Sequence, residues 1–286
     1  MNKTLKDFLA VCRMVKIEHS VFALPFACIG LFTASGGRPG WAPFLLLTLA
    51  MVAVRSFAMA VNRVADLRYD RENPRTQGRP LVTGELTVPF TTAFIVVTGV
   101  VFVLACAGLN PLCLALSVPA LAWSAAYSFT KRFTHWCHFA LGSVLGLAPV
   151  AGWLAVDPRL TPAAALLFLG VTFWVAGFDL LYACQDADFD RERGLHSVPA
   201  RFGVATALLV STLSHAVAGA LFVLGGWAAG LGPIYLLVAL AVWAALLLEH
   251  RLITPEDMRR VNLAFFTMNG VIAVVLFGGV LWDIYG

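Results

Sequence analysis

The sequence predicts an all-α, polytopic membrane protein with nine transmembrane helices, and three observations support this fold class. First, 60% of the 286 residues are hydrophobic and only 13% are charged, whereas about a quarter of the residues in soluble domains are charged. Second, several apolar runs approach the roughly 20 residues that a helix needs to cross a bilayer. Third, the charged residues are concentrated in a few short segments between those runs. Because a spanning segment must satisfy its own backbone, and these runs are too long for barrel strands, the spans are predicted to be helices.

The N-terminal segment, MNKTLKDFLAVCRMVKIEHS, is basic and amphipathic, and it is predicted to lie along the membrane surface. It has no small-residue cleavage site before the first span, so no cleavable signal peptide is expected. Residues 1–286 are expected to form a single transmembrane domain. The nine spans are predicted at about residues 20–36, 42–62, 88–109, 111–130, 135–155, 162–184, 204–226, 231–249 and 261–283.

The distribution of basic residues supports this number of spans and orients the chain. Apart from Arg38, Arg55 and Arg159, every Lys and Arg lies in the N-terminal segment or in the loops after helices two, four, six and eight. By the positive-inside rule these segments face the cytoplasm. We therefore expect a multi-pass protein of a bacterial-type inner (cell) membrane, with a cytoplasmic N-terminus and an external C-terminus. The net charge of +4 gives no indication of nucleic-acid binding.

The cysteines, the small residues of the fifth span and the histidines carry three further expectations. The six cysteines form no CxxC pair, and they are predicted to be core residues without disulfides or a metal-thiolate site. The Gly and Ala residues of LGSVLGLAPVAG, residues 141–152, predict close packing of the fifth helix on its neighbours. Four histidines near predicted helix ends are interpreted as interfacial: His19, His138, His215 and His250.

Two charged segments carry most of the acidic residues. In the first, after helix two, Asn62, Asp66 and Asp70 are four residues apart; in the second, after helix six, Asp186 and Asp190 have the same spacing. On a helix this spacing places like charges side by side, and the C-terminal end of a helix disfavours them further. Solvated loop acids are the simple alternative. Two such clusters in one chain favour a bound divalent cation, and ligands that are all oxygen favour Mg²⁺ over Zn²⁺.

The arginines beside these acids indicate that the site binds phosphate. Arg75 and Arg79 follow the first acidic segment and are the strongest candidates for phosphate contacts. Together with Mg²⁺ and an apolar helical body, they predict a substrate with a diphosphate head and a hydrophobic tail, such as an isoprenyl diphosphate. Arg55 lies two turns before Asn62 on the same helix face, and an arginine at this depth in a span is predicted to be functional. Snorkelling to an interface, or pairing with an acid such as Asp179, is the alternative.

These segments resemble the UbiA superfamily of intramembrane aromatic prenyltransferases, over nearly the whole chain. The resemblance is carried by NRVADLRYD (62–70), RTQGRPLVTG (75–84), YSFTKRFTH (127–135) and DLLYACQDADFD (179–190). It implies nine transmembrane helices around a central cavity, with Mg²⁺ as cofactor. It further implies transfer of a polyprenyl group from polyprenyl diphosphate to an aromatic acceptor in the lipid bilayer. No obligate protein partner is expected.

The resemblance also assigns roles to residues at matching positions. Arg63 is a departure, because many members have Asp directly after the first Asn. The expected metal ligands are Asn62, Asp66, Asp70, Asp186 and Asp190. The expected catalytic residues are Asp66, Tyr127, Lys131, Asp179 and Asp186, with Asp179 lining the cavity and with Tyr127 and Lys131 contacting the diphosphate. The expected substrate-binding residues are Arg55, Asn62, Arg75, Arg79, Tyr127, Lys131 and Arg132.

The acceptor is expected to be 4-hydroxybenzoate, in ubiquinone biosynthesis. The stretch KIEHSVFALPFA (16–27) is similar to the opening of quinone-pathway members, but it does not distinguish between their acceptors. A naphthoate acceptor, in menaquinone biosynthesis, is the alternative. Prenylation of haem, chlorophyll or a lipid is less favoured. From another functional class, a transporter of an anionic solute would place its ionisable residues near the membrane midplane. Here the acids fall at the cytoplasmic helix ends, which favours the enzyme.

Overall fold

A computed structural model of the protein describes residues 3–16, 23–253 and 268–286, and every regular element in these ranges is helical. The all-α prediction is thus confirmed for the described part of the chain. Two short 3₁₀ turns, Cys184–Asp186 and His250–Leu252, accompany the α-helices. The α-helices are α1 (Lys3–Val15), α2 (Leu24–Ala34), α3 (Trp41–Ala65), α4 (Leu67–Glu72), α5 (Pro80–Thr83), α6 (Val88–Leu109), α7 (Pro111–Thr130), α8 (Cys137–Leu154), α9 (Pro162–Ala183), α10 (Ala187–Glu192), α11 (Val198–Phe202), α12 (Val204–Ala228), α13 (Pro233–Glu249) and α14 (Asn269–Tyr285).

Six of the described helical segments are long and apolar enough to cross a membrane: α3, α6, α7, α8, α12, and α9 with its continuation to Glu192. Their bounds agree with six predicted spans to within a few residues. Three shorter apolar helices, α2, α13 and α14, correspond to the predicted first, eighth and ninth spans. The predicted starts of the first and ninth spans, at residues 20 and 261, lie outside the described residues. Nine spans therefore remain a prediction.

The core of the bundle is built around α9, which packs between α8 and α12. α2 packs on α8, and α3 packs on α6 and α7. Phe26 of α2 joins these layers, because its ring lies 5.0 Å from that of Trp174 on α9 and 5.5 Å from that of Phe222 on α12. All three side chains are fully buried. This aromatic packing fixes the position of α9, which leads into the second acidic segment.

The close packing predicted for residues 141–152 is present in the structure. A Cβ atom added at Gly152 would lie 1.9 Å from the carbonyl oxygen of Ala27 on α2. A Cβ atom added at Gly142 would lie 2.2 Å from the carbonyl oxygen of Thr172 on α9. The backbones of α2, α8 and α9 therefore touch directly, and only glycine permits this approach.

Gly152→Ala is expected to lower the free energy of unfolding by roughly 1–3 kcal/mol, because the new methyl group must push α2 away from α8. The loss would be measured as a fall in Tm in detergent micelles. Gly278→Ala on α14 is the matched control, since a Cβ atom there meets nothing within 4 Å. Equal Tm values for the two variants would contradict the backbone contact.

Helix α1 confirms the amphipathic helix predicted for the N-terminal segment. It buries Ala10, Met14 and Val15 in one cluster with residues of α3 and α5. Its position relative to a membrane remains a prediction. All six cysteines are free thiols.

The interfacial interpretation of two histidines is wrong. His138 and His215 have exposures of 2% and 0% because neighbouring helices cover them. His250 is partly buried, and His19 lies outside the described residues.

Candidate active site

The two acidic segments share one local architecture. α3 and α4 meet at Asp66, and α9 leads through a 3₁₀ turn to α10 at Asp186. The two aspartates have nearly the same backbone angles: φ −95° and ψ 4° at Asp66, and φ −105° and ψ 6° at Asp186. Four residues later each segment has a buried aspartate, Asp70 or Asp190. The long helices thus end at the motifs, and Asp66 and Asp186 also lie at the N-termini of the short helices α4 and α10, where the helix dipole favours a negative charge.

Both segments line a single pocket of about 110 Å³. Four aspartates and four basic side chains face it, together with polar and apolar residues from α4, α10 and the loops. The sequence-predicted residues that the structure brings together here are Asn62, Asp66, Asp70, Arg75, Arg79, Lys131, Arg132, Asp186 and Asp190. The other lining residues are Tyr69, Asn73, Thr76, Phe189 and Leu195.

A bidentate ion pair joins the two segments. The Nε and Nη2 atoms of Arg75 donate to Oδ1 and Oδ2 of Asp186, the first over 3.0 Å. Asn73 Nδ2 donates to Asp186 Oδ1 over 3.0 Å, and Arg75 Nη1 donates to the hydroxyl of Tyr182 over 2.8 Å. A fork-shaped guanidinium paired with a carboxylate fixes both side chains in orientation as well as in distance.

Asn73 and Tyr182 are residues that the sequence interpretation missed. Tyr182 lies four residues before Asp186, so the spacing that identified the acids would also have found it. Asn73 lies beyond the end of α4, and its contact with Asp186 joins residues that are distant in sequence. Sequence spacing gives no signal for such a contact.

The two buried aspartates each have a basic partner. Arg79 Nη1 lies 2.6 Å from Asp70 Oδ1, and Lys131 Nζ lies 2.8 Å from Asp190 Oδ1. Ser197 Oγ also donates to Asp190 Oδ2 over 3.1 Å. Burial alone would lower the pKa of Lys131, but the neighbouring carboxylate of Asp190 outweighs it and raises that pKa. Lys131 therefore carries its charge in the pocket at neutral pH.

Asp66 has a weaker cationic partner. Asn62 Nδ2 donates to Asp66 Oδ2 over 2.8 Å, but the nearest guanidinium nitrogen of its ion-pair partner Arg132 lies 3.9 Å from Oδ1. Burial, reinforced by the negative charge of Asp70, raises the pKa of Asp66 to about 6. A divalent cation beside Asp66 would stabilise its charged form and lower this pKa.

Arg63, the departure from the family pattern, is not among the residues that line this pocket. Its buried side chain donates from Nε to the carbonyl oxygen of Met14 on α1, over 3.4 Å, and from Nη1 to Asn62 Oδ1, over 3.1 Å. Arg63 therefore ties α1 to α3 and orients the Asn62 amide towards Asp66. The role of Asn62 as a metal ligand remains a prediction.

Two apolar cavities lie in the bundle beside the polar pocket. The lining of the first cavity, of about 120 Å³, includes Arg55 and Tyr127. Arg55 lies on α3, which also carries Asn62 of the polar pocket, and Tyr127 lies on α7, one turn before Lys131. The second, of about 330 Å³, extends past Cys113 and Leu154. The two cavities share the lining residues Met51, Phe102, Ala120, Leu147 and Ala151. Arg55 and Tyr127 thus face apolar space. Tyr127 is not among the residues that line the polar pocket, so its predicted contact with a diphosphate there remains a prediction.

Asp179 is not among the lining residues of these cavities, and it pairs with a histidine that the sequence interpretation assigned to an interface. Its Oδ2 atom lies 2.7 Å from Nδ1 of His138. The backbone N–H of Val198 points to His138 Nε2 over 3.4 Å. Because Nε2 accepts a hydrogen bond, Nδ1 carries the proton and donates to Asp179. His138 thus holds the Asp179 carboxylate in one orientation.

The comparisons with known proteins define the class of this protein. The sequence matches the model of the UbiA prenyltransferase family over residues 23–271. It is 32% identical to a 4-hydroxybenzoate octaprenyltransferase of Alkalilimnicola ehrlichii, over 90% of this chain and 87% of that one. It is 30% identical to a 4-hydroxybenzoate octaprenyltransferase of Citrobacter koseri, over 99% of this chain and 98% of that one. These matches identify an integral membrane enzyme of the prenyltransferase class.

Solved structures of UbiA homologs have the same fold as this chain. A UbiA homolog from Aeropyrum pernix K1 has a TM-score of 0.79 and 34% identity, over 93% of this chain and 98% of that one. A UbiA homolog from Archaeoglobus fulgidus bound to GPP and Mg²⁺ has the same fold, with a TM-score of 0.75 at 19% identity, over 97% and 100%. The chain belongs to the UbiA prenyltransferase family, and the resemblance seen in its sequence is confirmed.

Proposed function

We propose that the protein transfers a polyprenyl group from polyprenyl diphosphate to 4-hydroxybenzoate, in ubiquinone biosynthesis. The observation that carries this proposal is the Arg75–Asp186 pair, which draws two distant acidic segments into one charged pocket beside an apolar cavity. The names of the relatives favour 4-hydroxybenzoate over the alternative naphthoate acceptor. The proposal includes a single domain over residues 1–286 in the inner membrane. The N-terminus and polar pocket then face the cytoplasm, and the C-terminus lies outside.

The donor set of the pocket fits Mg²⁺, which prefers oxygen ligands. Asp66 and Asp186 are the proposed main ligands, with Asn62, Asp70 and Asp190 around them. The four aspartates and four basic groups of the pocket balance one another, so a diphosphate alone would add uncompensated negative charge. A divalent cation bound together with the diphosphate would offset it. When bound, Mg²⁺ supplies Lewis-acid stabilisation of the departing diphosphate.

The basic residues of the pocket bind and hold the diphosphate in this proposal. Arg75 and Arg79 supply guanidinium groups, and Lys131 supplies an ammonium group beside them. Charge-assisted hydrogen bonds from these groups become stronger as the allylic C–O bond breaks and negative charge builds on the leaving oxygen. Arg132 extends the positive charge towards Asp66.

The apolar cavity protects the allylic centre from water, which would otherwise quench a developing carbocation. Arg55 is proposed to bind the acceptor carboxylate, and the Tyr127 side chain lies against the same space. Asp179 does not line this cavity, but its side chain is held by His138 and is 24% exposed, and it is proposed to orient the acceptor hydroxyl. The acceptor ring then forms a C–C bond to the allylic carbon, the diphosphate leaves, and the ring carbon loses its proton.

The test is an assay of purified protein in liposomes with Mg²⁺, labelled polyprenyl diphosphate, and 4-hydroxybenzoate or a naphthoate. We expect prenylated 4-hydroxybenzoate with release of diphosphate, loss of product on adding EDTA, and recovery on restoring Mg²⁺. Product with the naphthoate alone would contradict the acceptor assignment. Full turnover in EDTA would contradict the metal dependence.

Ala120→Trp is expected to reduce turnover of long-chain prenyl diphosphates by about tenfold or more, because an indole would fill the space shared by the two apolar cavities. Dimethylallyl diphosphate should be turned over nearly as well as by the unchanged protein, since its short chain needs less of the path. Ala122→Trp, on the exposed face of the same helix, is the matched control. An equal loss for both chain lengths would contradict a prenyl path through these cavities.

A further inference from the structure

A second cluster of potential metal ligands lies outside the polar pocket, where α12 meets the end of α13. It consists of His215, Glu249 and His250, whose ligand atoms all lie within 4.8 Å of one another. His215 and Glu249 are fully buried, and His250 is partly buried. The proposed prenyl transfer uses none of these residues.

The orientation of His215 resembles that of a metal ligand. Its Nε2 atom lies 3.2 Å from the carbonyl oxygen of Trp174, which accepts hydrogen bonds but cannot donate them, so Nε2 carries a proton. Its Nδ1 atom faces Glu249 Oε1 at 2.8 Å and His250 Nε2 at 3.0 Å. Metal-binding histidines commonly have this arrangement, in which one ring nitrogen donates to a backbone carbonyl and the other faces the metal.

Glu249 provides independent support. It is the last residue of α13, where the helix dipole disfavours a negative charge. Its Oε2 atom has no hydrogen-bond partner within the described residues, and its Oε1 atom is contacted by His215 Nδ1 at 2.8 Å, although the exposure of Glu249 is 0%. A proton on His215 Nδ1 could form a hydrogen bond to Glu249 Oε1 or to His250 Nε2, but not to both at once. A cation between the three side chains would satisfy His215, Glu249 and His250 together.

We propose that His215 Nδ1, the Glu249 carboxylate and His250 Nε2 bind one divalent transition-metal ion of the Zn²⁺ type. Two imidazoles and one carboxylate form a donor set that suits Zn²⁺ and not Mg²⁺. Bonds of about 2.0–2.2 Å in tetrahedral geometry place ligand atoms about 3.3–3.5 Å apart. The two donor separations of 2.8 and 3.0 Å are within a small side-chain adjustment of that value.

The role of this ion is structural, because the site lies against α9, the helix that carries Asp179 and leads into the second acidic segment. Ser211 Oγ of α12 donates to the carbonyl oxygen of Gly177 on α9 over 2.6 Å. A Cβ atom added at Gly177 would lie 2.1 Å from the ring of His215. Gly177 is two residues before Asp179 on α9. An ion that links α12 to the end of α13 would therefore stabilise the packing of α12 against α9.

The test measures the metal content of the full chain after removal of any affinity tag, treatment with EDTA, reloading with Zn²⁺ and gel filtration. We expect roughly one zinc ion per chain in the unchanged protein. We expect the same zinc content in two controls: Asp186→Asn, which alters the polar pocket, and His196→Ala, which removes a histidine outside the cluster. Glu249→Gln and His250→Ala are expected to lose the zinc, and Zn²⁺ is expected to raise Tm only where the zinc is retained.

X-ray absorption at the zinc edge supplies a measurement that needs no variant. Zinc-loaded unchanged protein is expected to show scattering from two imidazole rings. Less than about a tenth of a zinc ion per chain after reloading would overturn the proposal, as would a spectrum without imidazole. Full zinc content in both Glu249→Gln and His250→Ala would overturn it too. Because none of these measurements depends on prenyl transfer, they remain decisive if the proposed acceptor is wrong.

Discussion

Asp186→Asn is expected to lower kcat by about a thousandfold, because it removes a negative ligand from the proposed metal site. Asparagine keeps the shape of the side chain and still accepts one hydrogen bond from Arg75 or Asn73. The fold should therefore survive, and the loss should appear in single-turnover rates with saturating prenyl diphosphate. A large rise in the Mg²⁺ concentration needed for half-maximal rate should accompany it.

Asp188→Asn is the matched control for that variant. Asp188 belongs to the same acidic segment, but its side chain is 89% exposed and pairs with Arg191, at 2.8 Å. Its activity should stay within about twofold of the unchanged protein, since exposed ion pairs contribute little. If Asp186→Asn were as active as Asp188→Asn, Asp186 would not be a metal ligand.

Arg75→Lys is expected to reduce kcat/KM by about a hundredfold or more, because an ammonium group cannot reproduce the bidentate geometry of a guanidinium. The Arg75 side chain reaches Asp186 with two nitrogens and Tyr182 with the third. Lysine would keep the positive charge but lose this fixed orientation towards the diphosphate. Steady-state kinetics with varied prenyl diphosphate would show the loss.

Arg193→Lys tests whether the effect is specific to the pocket. Arg193 also pairs with an acid, since its Nε lies 3.0 Å from Glu72 Oε2, but its side chain is 47% exposed and does not line the pocket. Its substitution should change kcat/KM by no more than about twofold. Similar losses in Arg75→Lys and Arg193→Lys would show that the loss is not specific to the Asp186 contact, and full activity of Arg75→Lys would show that positive charge alone is sufficient at this position.

The parts of the fold that follow from local rules were predictable from sequence. Long apolar runs gave α6 and α7 the bounds 88–109 and 111–130, and the turn at Asn110 separated them as expected. The repeated four-residue spacing identified Asp66, Asp70, Asp186 and Asp190, and all four line one pocket. Such features depend on residues that are close in sequence, so a single chain reveals them.

Features that depend on contacts between distant segments were not predictable. The His138–Asp179 pair joins α8 to α9, and burial of His138 follows from helix packing that no spacing rule describes. The resemblance predicted that Tyr127 and Lys131 both contact the diphosphate. However, α7 ends at Thr130, so Lys131 turns towards the polar pocket while Tyr127 remains beside the apolar cavity.

The most direct test of the convergence of the two acidic segments is a crystal structure with Mn²⁺ and a non-hydrolysable prenyl diphosphate analogue, recorded at the manganese absorption edge. We expect an anomalous peak bound by Asp66 and Asp186 and in contact with the diphosphate. A diphosphate bound in the pocket with no anomalous peak between these two carboxylates would contradict the account.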